Sequence, residues 1–132
     1  MELDKNNHSV FSLFYHLILV VKYRKSVIDD LSSNRLKEVF ERVQTNYNIE
    51  LKEWNHDNDH VHILMKADPS THITKFINSY KSASSRIIKR EFPIIRKYLW
   101  KEYFWSRSYC IISAGGAPLS VIKKYIRNQR TK

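Results

Sequence analysis

The chain has 132 residues, enough for one domain with a hydrophobic core but too few for two ordinary domains. Lysine and arginine number 23 against 13 aspartate and glutamate residues, so the formal net charge is +10. This excess favours a polyanionic partner, with nucleic acid first and an anionic membrane surface second. No apolar run approaches the ~20 residues of a membrane span, and the polar N-terminus is unlike a signal peptide. The single Cys110 fits a reducing cytosol, so we expect a cytoplasmic protein.

The first half of the chain predicts a strand, a helix and a hairpin. Aromatic and branched residues over residues 11–23 indicate a strand. Several N-cap residues follow at 29–33, ahead of an apolar stripe over residues 36–43 that is typical of a helix. Residues 49–54 and 60–65 predict two short strands joined by a polar turn, which together make a hairpin.

The second half predicts a helix, a strand and a final helix. Residues 68–71 mark a helix start, and the apolar stripe over residues 73–88 continues that helix to Pro93, which ends it or begins a shorter piece. Residues 109–113 indicate a strand, and residues 119–130 predict the last helix, which carries a tyrosine.

The order of these elements predicts an α+β, ferredoxin-like (RRM-like) fold in a single domain over residues 1–132. In such a fold an antiparallel sheet has its helices on one face. We expect the other face to be free for a ligand, with the C-terminal helix added to the basic pattern. Topology alone does not identify a function.

A pair of histidines lies on the second strand of the predicted hairpin. Side chains two apart on a strand point to the same face, so His60 and His62 are neighbours and Val61 turns into the core. Two imidazoles on one face make half of a divalent-metal site. Two polar residues on a solvated sheet face give the same spacing, so the motif by itself leaves both interpretations open. Asp57 and Asp59 stand where a carboxylate could orient one ring, or are ordinary turn residues.

The donor set indicates which metal such a site would take. Zinc needs about four ligands, often cysteine and histidine, and the sequence shows no such set. A loosely held Mg²⁺ or Mn²⁺ that shares a phosphate suits the two histidines better.

The final helix places Tyr125 and Gln129 on one face, since they are four residues apart. Basic residues surround the tyrosine, and we expect them to lower its pKa and so prepare the phenol as a nucleophile. These neighbours are Lys123, Lys124, Arg127 and Arg130. A surface tyrosine on a basic helix has the same spacing, and only the combination with the histidines favours chemistry.

Together these motifs resemble the small single-tyrosine transposases of the insertion-sequence 200/605 family, which belong to the His-hydrophobic-His nucleases. The resemblance runs from the first strand to Gln129. The matching stretches are Tyr15-His16, Lys22-Tyr23-Arg24, Asp59-His60-Val61-His62-Ile63-Leu64, Lys81-Ser82-Ala83-Ser84-Ser85-Arg86, Glu91-Phe92-Pro93, Trp100, Phe104-Trp105, Ser108-Tyr109, Gly115-Gly116-Ala117-Pro118 and Lys123-Lys124-Tyr125-Ile126-Arg127-Asn128-Gln129.

The resemblance implies an activity and a site. His60, His62 and Gln129 would hold Mg²⁺ or Mn²⁺, and Tyr125 would attack single-stranded DNA to form a 5′-phosphotyrosine link. The family works as a homodimer whose composite sites take the histidines from one subunit and the tyrosine from the other. It recognises DNA hairpins near the ends of the element. A hinge at Gly115-Gly116 leaves open whether Tyr125 is docked in the resting protein.

Basic and aromatic residues predict the DNA contacts. Phosphate contacts are expected from Lys22, Arg24, Lys25, Lys81, Arg86, Lys89 and Lys124. The candidates for stacking on unpaired bases are Tyr23, Trp54, Trp100 and Trp105, although core packing is the favoured role for the three tryptophans.

The alternatives to a transposase are a domesticated relative that acts on repeated hairpins, a replication initiator, and a non-catalytic module that binds single-stranded DNA or RNA.

Overall fold

The computed structural model describes residues 4–5, 10–11, 13–114 and 119–128. The strands are β1 (Asp4–Lys5), β2 (Val10–Phe11), β3 (Leu13–Val20), β4 (Glu50–His56), β5 (His60–Ala67) and β6 (Cys110–Ser113). The helices are α1 (Asp30–Gln44), α2 (Ile73–Glu91), α3 (Pro93–Lys97) and α4 (Leu119–Asn128), with short 3-10 turns at Lys22–Arg24 and Trp100–Glu102. In the ranges described, no helix is both long and apolar enough to cross a membrane.

Four strands form the main sheet in the order β4-β5-β3-β6, and every neighbouring pair is antiparallel. This strand order and the β-α-β-β-α-β sequence of elements confirm the predicted ferredoxin-like fold. The small β1-β2 ribbon is separate from that sheet. In the register between β3 and β5, Ile18 lies opposite His62 and Val20 lies opposite His60.

One face of the sheet carries the hydrophobic core, since α1 and α2 supply the apolar stripes that cover it. Phe40 of α1 and Phe76 of α2 meet edge to face with ring centroids 5.0 Å apart. Alternate residues of the strands point into this layer, as the period of two requires. The fully buried members include Leu17, Leu19, Leu36, Phe40, Val61, Ile63, Met65, Phe76, Ile77, Tyr80 and Ile88.

Two element boundaries follow from hydrogen bonds that the chain makes locally. Asp29 is the N-cap of α1, and a reciprocal capping box joins it to Ser32. The helix start expected at residues 68–71 is instead a turn, because the Asp68 carboxylate accepts bonds from the amide and hydroxyl of Ser70. Helix α2 therefore begins later, at Ile73.

The second face of the sheet is not wholly free, which corrects the expectation from the sequence. Helix α4 lies against it, and Tyr125 and Ile126 pack on Ile18 and Val20 of β3. Burial of these apolar side chains drives the contact. The candidate ligand site is therefore the part of this face along β5, next to the strand on which α4 packs.

Candidate active site

Strand β5 presents both predicted histidines on the face that α4 shares. Burial alternates along the strand: Val61 and Ile63 are fully buried, whereas His60 and His62 are only partly covered. The two imidazoles therefore project away from the core formed with α1 and α2, as their spacing predicts. Backbone pairing with β3 fixes their position at the end of the sheet where the β4-β5 hairpin turns.

A buried carboxylate orients His60. Its Nδ1 lies 2.8 Å from Oδ1 of Asp59, a residue that is 5% exposed. The other carboxylate oxygen accepts a hydrogen bond of 2.8 Å from Nε of Arg24. Because an ionised carboxylate only accepts, the neutral ring must carry its proton on Nδ1, and Nε2 keeps the lone pair for a cation. Of the two predicted carboxylates, Asp59 has this role, whereas Asp57 accepts from the amide of Asn58 in the turn.

His62 pairs with a histidine to which the sequence analysis assigned no role. Nδ1 of His16 lies 3.0 Å from Nε2 of His62, and the two rings meet edge to face. Burial lowers the pKa of His62, and the nearby His16 and His60 lower it further. A neutral ring is the form that can donate a lone pair to a metal. His16 could have been found from its place on β3, two residues before Ile18 on the same face.

The chemistry of this donor set fits a loosely held divalent cation rather than a closed zinc site. In the part of the chain that the structure describes, no group of three or more histidine, cysteine, aspartate or glutamate residues could hold a metal. A closed zinc site needs such a group, whereas two imidazoles with a weak third ligand leave positions for phosphate oxygens and water. The predicted third ligand, Gln129, lies outside the described residues.

Tyr125 lies on α4 against the face that carries the histidines. It packs on Ile18 and Val20, the two β3 residues that stand opposite His62 and His60. Its hydroxyl is 3.1 Å from Oγ of Ser108, in the loop that leads into β6. The fold of one chain therefore brings Tyr125 and both histidines to the same side of the sheet.

The electrostatic setting of Tyr125 differs from the one expected. Burial raises the pKa of its phenol, and the hydrogen bond with Ser108 opposes that rise only in part. The predicted lowering by basic neighbours is wrong in this arrangement, because Lys124 and Arg127 are exposed to solvent. Desolvation of the phenolate outweighs charges that water screens.

Four of the seven predicted DNA-contacting residues fall on two surfaces, and the other three lie elsewhere. Lys22 and Lys81 line a cleft of about 500 Å³ together with aromatic side chains. Arg86 and Lys89 line a groove of about 720 Å³ on α2, where Arg90 and Arg96 add charge. The remaining three are Arg24, which pairs with Asp59, and Lys25 and Lys124, which are exposed. The structure thus groups four of the seven residues into two basic surfaces, and their contacts with DNA stay predictions.

The tryptophans divide between core and surface. Trp54 and Trp105 pack against the core, and their indole nitrogens donate to Ser33 and Ser84 respectively, both at 2.9 Å. For these two residues the favoured role in core packing is confirmed. Trp100 differs, since it is 42% exposed and lies beside Tyr23.

Comparison with known proteins gives a family. Residues 9–129 match the family described as "Transposase IS200 like". Over its whole length the chain is 33% identical to the ISDra2 transposase TnpA of Deinococcus radiodurans, of which it covers 94%. It is also 24% identical over 123 residues to the transposase for insertion sequence element IS200 of Salmonella typhimurium, of which it covers 80%.

Solved structures agree with this match. A crystal structure of a protein from Deinococcus radiodurans R1 superposes with a TM-score of 0.86 at 32% identity, and the match covers 96% of this chain and 97% of that one. A REP-associated tyrosine transposase bound to a REP hairpin has the same fold, with a TM-score of 0.60 at 9% identity over 96% of this chain and 68% of its own.

Proposed function

The chain belongs to the IS200-like transposase family, and from this membership we propose that it cleaves and rejoins single-stranded DNA at the ends of an insertion sequence. One observation carries the proposal: the face of the sheet that presents His60 and His62 also accepts the helix that carries Tyr125, although that helix is far from the histidines in sequence. A module that only bound nucleic acid would have no need to orient His60 through the buried Asp59.

The proposed reaction is a transesterification with Tyr125 as the nucleophile. The phenol oxygen attacks the scissile phosphorus, and the bond from phosphorus to the 3′ oxygen breaks. The 5′ side of the break stays on the tyrosine as a phosphodiester, and the proton lost by the phenol balances the one gained by the 3′ hydroxyl. Reversal with another 3′ hydroxyl rejoins strands without ATP, because the link to the tyrosine conserves the energy of the original bond.

We further propose that His60 and His62, with Gln129, hold Mg²⁺ or Mn²⁺. The cation would stabilise negative charge that develops on the phosphate. Asp59 would keep the His60 ring in the tautomer with a free Nε2, and Arg24 would hold Asp59 in place. His16 competes for Nε2 of His62, so its ring would have to release that nitrogen when a ligand binds.

Hairpin recognition and a shared site complete the proposal. A protein of the same fold is bound to a REP hairpin, which supports a hairpin as the DNA feature that this chain recognises. We propose a homodimer in which each site takes its histidines from one subunit and Tyr125 from the other. Such an exchange needs α4 to leave the contact with Ile18 and Val20 of its own chain.

The test is covalent capture of DNA. The protein is incubated with single-stranded DNA that carries a hairpin, in Mg²⁺ or Mn²⁺, and denaturing gels are used to detect a protein–DNA adduct. Adduct with the parent and none with Tyr125→Phe is the expected result. Tyr98→Phe is the matched control, because Tyr98 is an exposed tyrosine away from the sheet face and should leave the adduct unchanged. Equal adduct from Tyr125→Phe and the parent would show that another residue is the nucleophile.

A further inference from the structure

A cleft lies beside the candidate site, between the 3-10 turns at Lys22–Arg24 and Trp100–Glu102. Its volume is about 500 Å³. Four basic residues line it and, among its described lining residues, none is acidic. We call it the aromatic cleft and define it by Lys22, Tyr23, Trp100, Lys101, Tyr103 and Arg107. Its positive charge suits a polyanion.

Three aromatic rings form one wall of the aromatic cleft. Tyr23 meets Trp100 edge to face with centroids 5.5 Å apart, and Trp100 lies nearly parallel to Tyr103 at 6.1 Å. Trp100 is 42% exposed and Tyr103 is 57% exposed, so both present ring surface to solvent. Large aromatic side chains left in water on a small domain lose the benefit of burial, and such exposure marks binding surfaces.

Cations sit over the same rings. Nζ of Lys101 lies 4.7 Å from the centroid of Trp100, and Nζ of Lys22 lies 5.3 Å from that of Tyr23. Surfaces that bind single-stranded nucleic acid combine aromatic rings with cations, because each nucleotide offers a flat base and a charged phosphate. A surface that bound only duplex phosphates would have no use for the rings.

Backbone strain is concentrated at the two rims of the aromatic cleft. Among the described residues, five other than glycine have a positive φ, and four of them lie in the two turns. These are Tyr23 (58°), Arg24 (53°), Lys101 (46°) and Glu102 (64°). Left-handed backbone is unfavourable for residues with a Cβ and tends to gather at ligand sites, where the surrounding structure holds it. Here the ion pairs of Arg24 with Asp59 and of Glu102 with Arg96 hold the two rims.

The aromatic cleft is connected to the histidines. Arg24 on its rim binds Asp59, which in turn binds His60. The amide of Lys22 also donates to the carbonyl of Phe104, so the first rim is tied to the segment that follows the second. A strand of DNA that reaches His60 therefore has the aromatic cleft at its side.

We propose that the aromatic cleft binds unpaired bases of single-stranded DNA next to the cleaved phosphate. A base stacks on Trp100 and Tyr103, and Lys22 and Lys101 meet the flanking phosphates. The position of these bases next to the cleaved phosphate rests on the proposed function, whereas the binding of unpaired bases by the aromatic cleft does not.

Binding is measured apart from chemistry, in a Tyr125→Phe background, by fluorescence anisotropy with a labelled oligothymidine tract. Trp100→Ala should weaken binding roughly tenfold, the effect of losing one stacked base. Its salt dependence should stay that of the parent, whereas Lys101→Ala should lower the slope of log affinity against log salt by about 0.7. Tyr98→Ala is the matched control, since Tyr98 is about as exposed as Tyr103 but lies outside the aromatic cleft. It should change neither the affinity nor its salt dependence.

Two results would overturn the proposal. The first is Trp100→Ala binding the tract as tightly as Tyr98→Ala does. The second is an equal loss of affinity for blunt duplex DNA, which has no unpaired base to stack. Trp100→Phe keeps an aromatic face and should recover most of the affinity, which separates stacking from a local folding defect.

The adduct assay separates this proposal from the proposed function. If the parent forms no adduct but Trp100→Ala still weakens binding, the cleavage proposal fails and the aromatic cleft stands as a surface that binds unpaired bases. If the parent forms the adduct and Trp100→Ala binds normally, cleavage stands and the aromatic cleft is ruled out.

Discussion

Asp59 holds His60 by its Nδ1 at 2.8 Å, and the same carboxylate is held by Arg24 at 2.8 Å. The three residues come from two segments that are adjacent only in the folded chain. The buried carboxylate fixes the ring before any ligand arrives, so the entropy of orienting it is lost on folding rather than on binding.

The first prediction concerns this carboxylate. Asp59→Asn keeps the shape but removes the charge, so the hydrogen bonds to Arg24 and His60 weaken and the His60 tautomer is less strictly set. We expect affinity for Mn²⁺, measured by titration calorimetry, to fall about 10- to 100-fold. Asp57→Asn is the control, because that side chain is exposed and its oxygen can still accept from Asn58. An unchanged affinity in Asp59→Asn would mean that the carboxylate does not orient a metal ligand.

The second prediction concerns Tyr125 and pH. Its folded-state pKa is raised by burial, so docking of the phenol is favoured below the ordinary tyrosine pKa and is lost as pH rises through the raised value. Selective ¹³C labelling of tyrosine, with Tyr125→Phe for assignment, should show this residue titrating above an exposed tyrosine. Ser108→Ala removes the hydrogen bond that opposes the rise, so it should move the pKa of Tyr125 further up. A fall in that pKa would show that the phenol donates to Ser108, so that this hydrogen bond supports the rise instead of opposing it.

The third prediction concerns a polar contact inside the core. Ser84 is fully buried, and its Oγ accepts from Nε1 of Trp105 while donating to the carbonyl of Tyr80. Ser84→Ala leaves the indole N–H without its partner, at a cost of about 1–3 kcal/mol in the free energy of unfolding. Urea denaturation measures this cost. Ser82→Ala, an exposed position on the same helix, should stay within about 0.5 kcal/mol of the parent.

The fourth prediction concerns the sharing of sites between subunits. Neither His62→Ala nor Tyr125→Phe should form an adduct alone. Mixed dimers of the two variants should recover part of the activity, because one composite site then receives both of its intact halves. Heterodimers are verified by differently tagged subunits before the assay. Verified heterodimers that stay inactive would place His62 and Tyr125 of a working site in one chain.

The sequence predictions that were most accurate came from short repeating patterns of apolar and polar residues. The alternation around Val61 was enough to place His60 and His62 on one face, because successive side chains of a strand point to opposite faces. The strand predicted over residues 49–54 is present as β4, but its register against β5 shifts between Leu51 and Glu53. The helix start predicted at residues 68–71 was wrong because the carboxylate of Asp68, a side chain that can cap a helix, instead accepts a hydrogen bond from Ser70 in a turn.

The sequence by itself determined the α+β order of elements, the same-face histidines and the resemblance to a transposase family, since these depend on local periodicity and on motifs in order. Only the tertiary structure decided that His16 meets His62, that α4 covers part of the ligand face, and that Trp100 stays exposed while Trp54 and Trp105 are buried. Each of these depends on contacts between segments far apart in the chain. The pKa of Tyr125 belongs with them: its neighbours in sequence are basic, but the sheet that buries it sets the direction of the shift.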